Sequence, residues 1–544
     1  MSSNISKPLR DAYDRFFGLL TLAEEQAAAG DYPAATGLAQ IAARYTFAGY
    51  VGLFGSRRLE QLLLKLGRQI PAAPPREPRH RDGNSRKNIL HVLSYGRPVG
   101  GDCRCAWRWI QEDHDNRHSV VITSQADVEG IYVLPEVLKQ SVESSGGFLR
   151  TLSASTSKHL EQARELRTLC QEADIVVLHL FPYDIVPVLA LAAGCDSVKT
   201  IFVNHADHAF WVGASVSHLI AHLRRQPPQF PETRRGLNPD RCAILPIPMF
   251  HDPPSVTREQ AKRALGYGPD TILLLTIASP FKFSAPGHVD FLDLVAPVMA
   301  RFPQAVLLAV GPEAKGDWQA ASIQTNGRIV PLGTRWNNNL LYAAADVYLD
   351  SVPFSSITSL LEAGSQGVPL LGYRLPEAEL ALLGPGAPGF EDTMELARDA
   401  ESYQVLLTRL IADVEYRRQS GQRVQSQILS LHTGRNWIQA VHELYARVER
   451  SEDRGCLLEG NDTFKAGALN LALFYLYGRV HTRQMIGKYI GALPYRSRLP
   501  ITWRLHRTGF ELCFLNLLPS PADVIFRNGG RWARGLLRQL LRLR

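Results

Sequence analysis

Nine short segments of this chain are apolar almost throughout, and stretches with helical spacing separate most of them. Four fall early: NILHVLSYG, HSVVITS, ADIVVLHLF and TIFVNHAD. Five come later: TILLLTIAS, AVLLAVGPE, RIVPLG, DVYLDSVPF and VPLLGY. A strand without polar–apolar alternation is buried on both faces. Alternation of such strands with helices gives a parallel sheet covered on each side. The proline-rich stretch from Gln226 to Pro254 separates the two groups. The reading is α/β: two doubly wound, Rossmann-like domains in tandem, 88–245 and 246–450, facing across a cleft. Helices close the second domain, where Trp437, Ile438, Val441, Leu444 and Tyr445 share one face.

The ends differ from this body. Residues 1–70 read as a helical arm, with Tyr13, Phe16, Phe17 and Leu20 at helical spacing. Gly30-Asp31-Tyr32-Pro33 marks a stop and a new start, with helices expected from Ala34 to about Tyr45 and from Arg58 to Gln69. The GDYPAA turn resembles a tetratricopeptide junction. Only one such unit is present where arrays need about three, and a helical cap on the next domain fits equally. Residues 71–87, with four prolines, read as a linker setting the arm apart. Residues 451–544 form a basic tail. From 461 onward there are fourteen Lys and Arg against three Asp and Glu, a balance of +11 within a net charge of +8. Its end, RWARGLLRQLLRLR, puts Arg531, Arg534, Arg538 and Arg542 opposite Trp532, Leu536, Leu537, Leu540 and Leu543. That pattern suits a helix lying on an anionic membrane surface, or one packed on the body of the protein.

With 544 residues, 45% hydrophobic and 21% charged, the chain is multidomain and globular, not disordered. No apolar run approaches the ~18 residues of a membrane span. The start lacks the apolar core of a signal peptide, and the seven cysteines are odd in number and scattered. The expectation is a cytoplasmic protein, peripheral on the inner membrane face if the tail binds lipid. The C-x-C of Cys103 and Cys105 has no companion cluster at metal-ligand spacing, so no metal site is expected. Confinement of the basic charge to the tail argues against nucleic-acid binding.

Open parallel sheets bind ligands beyond the carboxyl ends of their strands, so the loops there hold the candidate site. Gly100 and Gly101 follow the first strand; they allow phosphate or sugar to approach the backbone, or simply make a tight turn. Asn204-His205-Ala206-Asp207-His208 follows TIFV. Two imidazoles and a carboxylate at a strand end supply a proton acceptor, or hydrogen bonds that only hold structure. Ser279 and Lys282 follow TILLLTIA, and the lone lysine suits a phosphate. Gly311 stands in the VGPE loop. Ser355, Ser356, Thr358 and Ser359 crowd a helix start where hydroxyls and free amides can hold a diphosphate. Glu362, one turn after Thr358, can accept two hydroxyls of a ribose.

The order GG loop, H-A-D-H loop, K loop, VGPE, then D-x-x-P-F…T-S-x-x-E-A-x-x-x-G-V-P resembles the GT-B glycosyltransferases over about residues 88–450. The resemblance implies that a nucleotide sugar binds mainly on the second domain and an acceptor (glycan, lipid-linked or protein) on the first. It implies that Glu362 holds the ribose and that Lys282, Thr358 and Ser359 hold the diphosphate. Gly100, Gly101, Ser279, Gly311 and Ser356 complete the donor site. His205, Asp207 and His208 would face the transferred sugar. Many retaining members carry two glutamates separated by seven residues; here the first position is Phe354. The D-x-x-P-F…T-S-x-x-E pattern is also similar to the inverting protein O-GlcNAc transferase group, whose members carry N-terminal helical repeats. With no acidic D-x-D pair at a suitable loop, the transfer is expected to be metal-independent and to use no cofactor besides its donor. A nucleotide-sugar 2-epimerase and a non-catalytic sugar-binding protein share the fold and remain open.

Overall fold

The computed structural model describes residues 2–71, 86–98, 100–124, 126–127, 130–131, 133–152, 158–283, 289–455, 457, 462–465, 467–477, 490, 493–507 and 510. The amphipathic end of the tail and most of the proline-rich linker lie outside the described residues.

Two parallel sheets form the body. The first holds β1 (Asn88–Leu93), β2 (Arg117–Ile122), β3 (Leu149–Thr151), β4 (Ile175–His179), β5 (Lys199–Asn204), β6 (Leu219–His222) and β7 (Cys242–Ile244). Its spatial order is β3-β2-β1-β4-β5-β6-β7. The second holds β8 (Ile272–Ile277), β9 (Ala305–Val310), β10 (Ile329–Gly333), β11 (Val347–Leu349), β12 (Leu370–Tyr373) and β13 (Glu395–Ala397). Its order, β10-β9-β8-β11-β12-β13, repeats that of the first six strands of the other sheet. In each sheet the winding reverses once, between β1 and β4 and between β8 and β11. A crevice opens there at the strand ends. β4 and β11 are buried along their whole length, as their lack of alternation requires.

Three helices precede the body: α1 (Ser2–Ala28), α2 (Tyr32–Gly49) and α3 (Arg57–Gly67). Gly30, at φ 81°, ends the first, and Asp31 caps the second by accepting from the Ala34 amide. These helices do not stand apart. Phe16, Leu38 and Leu63 share one core with Val176, Leu178 and Phe202 of the first sheet. Buried Glu60 accepts from the Gly213 and Ala214 amides at 2.6 and 3.1 Å. Arg167 donates to the carbonyls of Gly67 and Ile70 at 2.7 and 2.8 Å. The arm is therefore a cap fastened to the first domain.

The helix Gly434–Glu449 also departs from the simple reading. Its apolar face (Trp437, Val441, Leu444, Tyr445, Val448) packs on Ile89, Ile175 and Val177, so it completes the first domain rather than the second. Trp437 Nε1 donates to the Pro246 carbonyl at 2.7 Å. The described part of the tail docks too. Asp462 accepts from the amides of Arg57 and Arg58 at the start of α3, and Asn470 is fully buried against Tyr50 and Gly52. No helix among the described residues is long and apolar enough to cross a membrane.

Candidate active site in the interdomain cleft

A cavity of about 360 Å³ lies where the strand ends of the two sheets face each other. The loop after β5 and the helix α4 (Gly101–Glu112) wall it on one side. Lys282 and residues 354–358 wall it on the other. The structure brings Gly101, His205, Asp207, His208, Lys282, Ser356 and Thr358 to this one space. Gly100, Ser279, Gly311, Ser359 and Glu362 stand behind or beside it.

On the second domain, Lys282 sits in a 3-10 turn, Pro280–Phe283, pinned by buried Phe283 against Phe291 and Trp318. Its Nζ donates to the Ser355 carbonyl at 2.9 Å and lies 4.8 Å from the Phe354 ring centroid. Burial lowers the ammonium pKa to about 8, against an upward pull from Asp350. Asp350, the residue after β11, is buried and pushed up to about 6. It accepts from the Ser351 and Ser356 amides at 2.9 and 3.0 Å and so fixes the start of the helix Ile357–Ser365. First-turn amides have no acceptor within their own helix. Those of this helix lie at the cavity wall beside Lys282, where an anion gains from both.

Glu362 is half-buried, and both its oxygens are occupied. Tyr342 donates to one at 2.9 Å, and Arg104, reaching from α4 of the other domain, donates to the second at 2.9 Å. Ser279 is exposed and accepts from the Lys282 amide. Gly311 has a structural reason to be glycine: at φ 110° a Cβ would stand 1.9 Å from the Ala278 carbonyl oxygen. A Cβ on Gly100 would meet Arg97 and Asp102, whereas Gly101 faces open space.

On the first domain the three candidates differ. Asp207 is ion-paired with Arg224 and accepts from Asn204 at 2.6 Å. Burial alone would raise its carboxyl, but Arg224 and His222 hold it far below the usual range. It is a fixed anion. His208 lies 4.8 Å from the Phe354 ring and stacks on Tyr477, contributed by the tail, at 5.6 Å. Desolvation lowers its pKa to about 3. His205 is half-buried, and its Nε2 lies 3.1 Å from His179 Nδ1. Burial lowers its pKa to about 4, so it is neutral and able to accept a proton.

Several side chains at the cavity carry no signal in the linear sequence. Arg97, Arg104, Arg108 and Arg224 join Lys282 to make the lining strongly cationic. Arg224 also donates to the Leu382 carbonyl at 2.8 Å, tying the domains together. Among the described residues, one trio offers metal-ligating atoms within 4.8 Å of one another: Cys105, His179 and His205. The two rings already hydrogen-bond to each other, and burial pushes the Cys105 thiol up to about 12. The set contains no carboxylate of the kind that binds magnesium or manganese.

No family model matches the chain, and no curated protein does. Solved structures do. A glycosyltransferase from Rickettsia africae aligns at 12% identity over 67% of this chain and 99% of its own, with a TM-score of 0.51. HepE of Anabaena, solved with UDP and glucose, aligns at 13% identity over 66% and 100%, with a TM-score of 0.49. A mutant O-GlcNAc transferase of Thermobaculum terrenum aligns at 17% identity over 82% of each chain, with a TM-score of 0.47. At such identities the likeness is one of fold. The tandem sheets of equal order and the crevice between them are the GT-B fold of glycosyltransferases.

Proposed function

We propose that the chain is a glycosyltransferase that moves a sugar from a nucleotide-sugar donor to a glycan, lipid-linked or protein acceptor. The observation that carries this reading is the buried Lys282 beside the first turn of Ile357–Ser365, in a cavity with four arginines. A leaving nucleoside diphosphate develops negative charge there, and preorganised cations and amides stabilise it more than they stabilise the donor. The same cations serve where other transferases use a divalent metal, which supports metal-independent turnover. Glu362 would receive the ribose hydroxyls once Arg104 moves aside. Phe354, 4% exposed and in contact with His208, occupies the position of the first glutamate of retaining relatives. With Asp207 held as an anion by Arg224 and the His208 ring packed on Phe354 and Tyr477, His205 serves as the base for the acceptor hydroxyl, which supports an inverting transfer.

The test is release of the free nucleoside diphosphate from UDP-, GDP-, dTDP- and CDP-sugars with excess EDTA, with products weighed by mass spectrometry. Release coupled to a glycosylated product supports the proposal. Release of nucleotide with no acceptor product points to an epimerase, and turnover abolished by EDTA and restored by manganese overturns the metal-free reading.

A further inference from the structure

Three histidines that the cleft chemistry does not use directly lie buried in the first sheet: His118 on β2, His91 on β1 and His179 on β4, each 0% exposed. His118 pairs in register with Ile89, two residues before His91. Val177, two residues before His179, pairs with His91. Side chains two residues apart share a face, so the three rings and His205 run diagonally across one face of the sheet. Ring centroids are 5.2, 5.3 and 5.3 Å apart. The file starts near the amino end of β2 and finishes at the cleft.

Every link has the same polarity. His118 Nδ1 lies 3.0 Å from His91 Nε2. His91 Nδ1 lies 3.1 Å from His179 Nε2, and His179 Nδ1 lies 3.1 Å from His205 Nε2. At the far end His118 Nε2 faces Asp113, 3.1 Å from its carbonyl oxygen and 3.3 Å from Oδ2. Burial pushes the Asp113 carboxyl up, but hydrogen bonds from His118, Asn116 and Tyr445 hold it below the usual range. An ionised carboxylate only accepts, so a neutral His118 carries its proton on Nε2 and accepts on Nδ1. The same constraint passes from ring to ring. It leaves His205 with its proton on Nε2 and a free lone pair on Nδ1. Trp109, fully buried, packs edge-on to His91 and His179 at 5.7 and 6.0 Å and keeps the file dry. Four apolar side chains would pack there with no desolvation cost.

We propose that this file is a proton relay that lets His205 act as a base without becoming a buried imidazolium; the proposal rests on the role given to His205 above. The acceptor hydroxyl gives its proton to His205 Nδ1, and its oxygen keeps the electron pair that forms the new bond to the sugar. The old carbon–oxygen bond breaks, and its pair leaves on the diphosphate. Meanwhile His205 passes its Nε2 proton to His179 Nδ1, His179 to His91, and His91 to His118. The His118 Nε2 proton lands on the Asp113 carboxylate. Each ring stays neutral. The hops reverse when His205 gives its Nδ1 proton to the departing diphosphate or to water entering the cleft.

The test joins imidazole ¹⁵N NMR of the full chain to turnover of His91→Gln. A Gln amide can accept and donate at the two ends of the site, but it cannot pass a proton along. The relay requires all four wild-type rings to be protonated at Nε2, with couplings across each N–H···N link. It also requires H91Q to melt near wild type, bind donor with unchanged KM and lose about a hundredfold in kcat, the usual scale of general-base catalysis. A file ring protonated at Nδ1 overturns the relay, as does H91Q turnover within threefold of an active wild type. A wild type that turns over no donor removes the transferase assignment and the relay's task with it, an outcome distinct from an active wild type matched by H91Q.

Discussion

Arg104 of the first domain donates from Nη1 to Oε1 of Glu362 in the second, at 2.9 Å across the cleft. Tyr342 holds the other oxygen at the same distance. The carboxylate proposed for the donor ribose is therefore already satisfied, and a nucleotide bound there would displace the arginine. The pair is about a third exposed, at 34% and 29%, so its own worth is on the order of 0.5–1 kcal/mol. Arg104→Ala should tighten donor binding two- to fivefold, whereas Glu362→Ala should weaken it. Calorimetric titration with the active donor decides; weaker binding in R104A would show that the arginine itself contacts the nucleotide.

Lys282 should set the alkaline limit of the reaction. Its pKa is lowered to about 8, so the free enzyme keeps the cation below that pH and loses it above. kcat/KM should fall above about pH 8, while Lys282→Arg moves that limb upward because guanidinium stays charged. Lys282→Met should lower kcat by roughly 100- to 1000-fold, the scale for removing one preorganised charge stabiliser. A pH–rate profile of the three proteins is the check.

Asp207 is read as a structural anion, and its removal should be felt in stability. Asp207→Asn strands Arg224, only 9% exposed at its side chain, beside the cavity. Breaking such a buried pair costs about 3–5 kcal/mol. The native pKa is depressed, so the stabilisation is present above the unfolded value of about 4 and is lost only as pH falls through the native one. Thermal melts at pH 6–8 should show a constant deficit for D207N, narrowing only in strong acid.

Glu60 is the pin of the helical cap. Glu60→Ala leaves the Gly213 and Ala214 amides without their acceptor in a buried joint. The cost is on the order of 3 kcal/mol. Limited proteolysis of E60A should release the segment before residue 70 sooner than in wild type; equal protection would mean that the apolar contacts of Phe16 and Leu63 suffice.

Much of the fold was legible because it rests on a local signal. Strands such as IVVLH and VYL are apolar on both faces, and only a covered parallel sheet accommodates them. Loops after those strands followed directly, which is why His205, Lys282 and Thr358 meet in one cavity. What was not legible depends on long-range placement. Arg104 reads as an ordinary helix residue until the domains face each other. His91, His118 and His179 each read as a lone polar side chain within an apolar strand. Their alignment arises from strand order and register, two residues per step across three neighbouring strands. The helix Gly434–Glu449 shows the same limit. Its apolar face was plain, but the domain that it covers was not.

The central claim is a nucleotide-sugar site built on Lys282 and the helix Ile357–Ser365. The most direct measurement is a thermal-shift panel of UDP-, GDP-, dTDP- and CDP-sugars on wild type, Lys282→Met and Glu362→Ala. The account predicts that one nucleotide class stabilises the wild type by about 2 kcal/mol or more at saturation and that both variants lose most of that shift. No shift with any donor, or an undiminished shift in both variants, would contradict it.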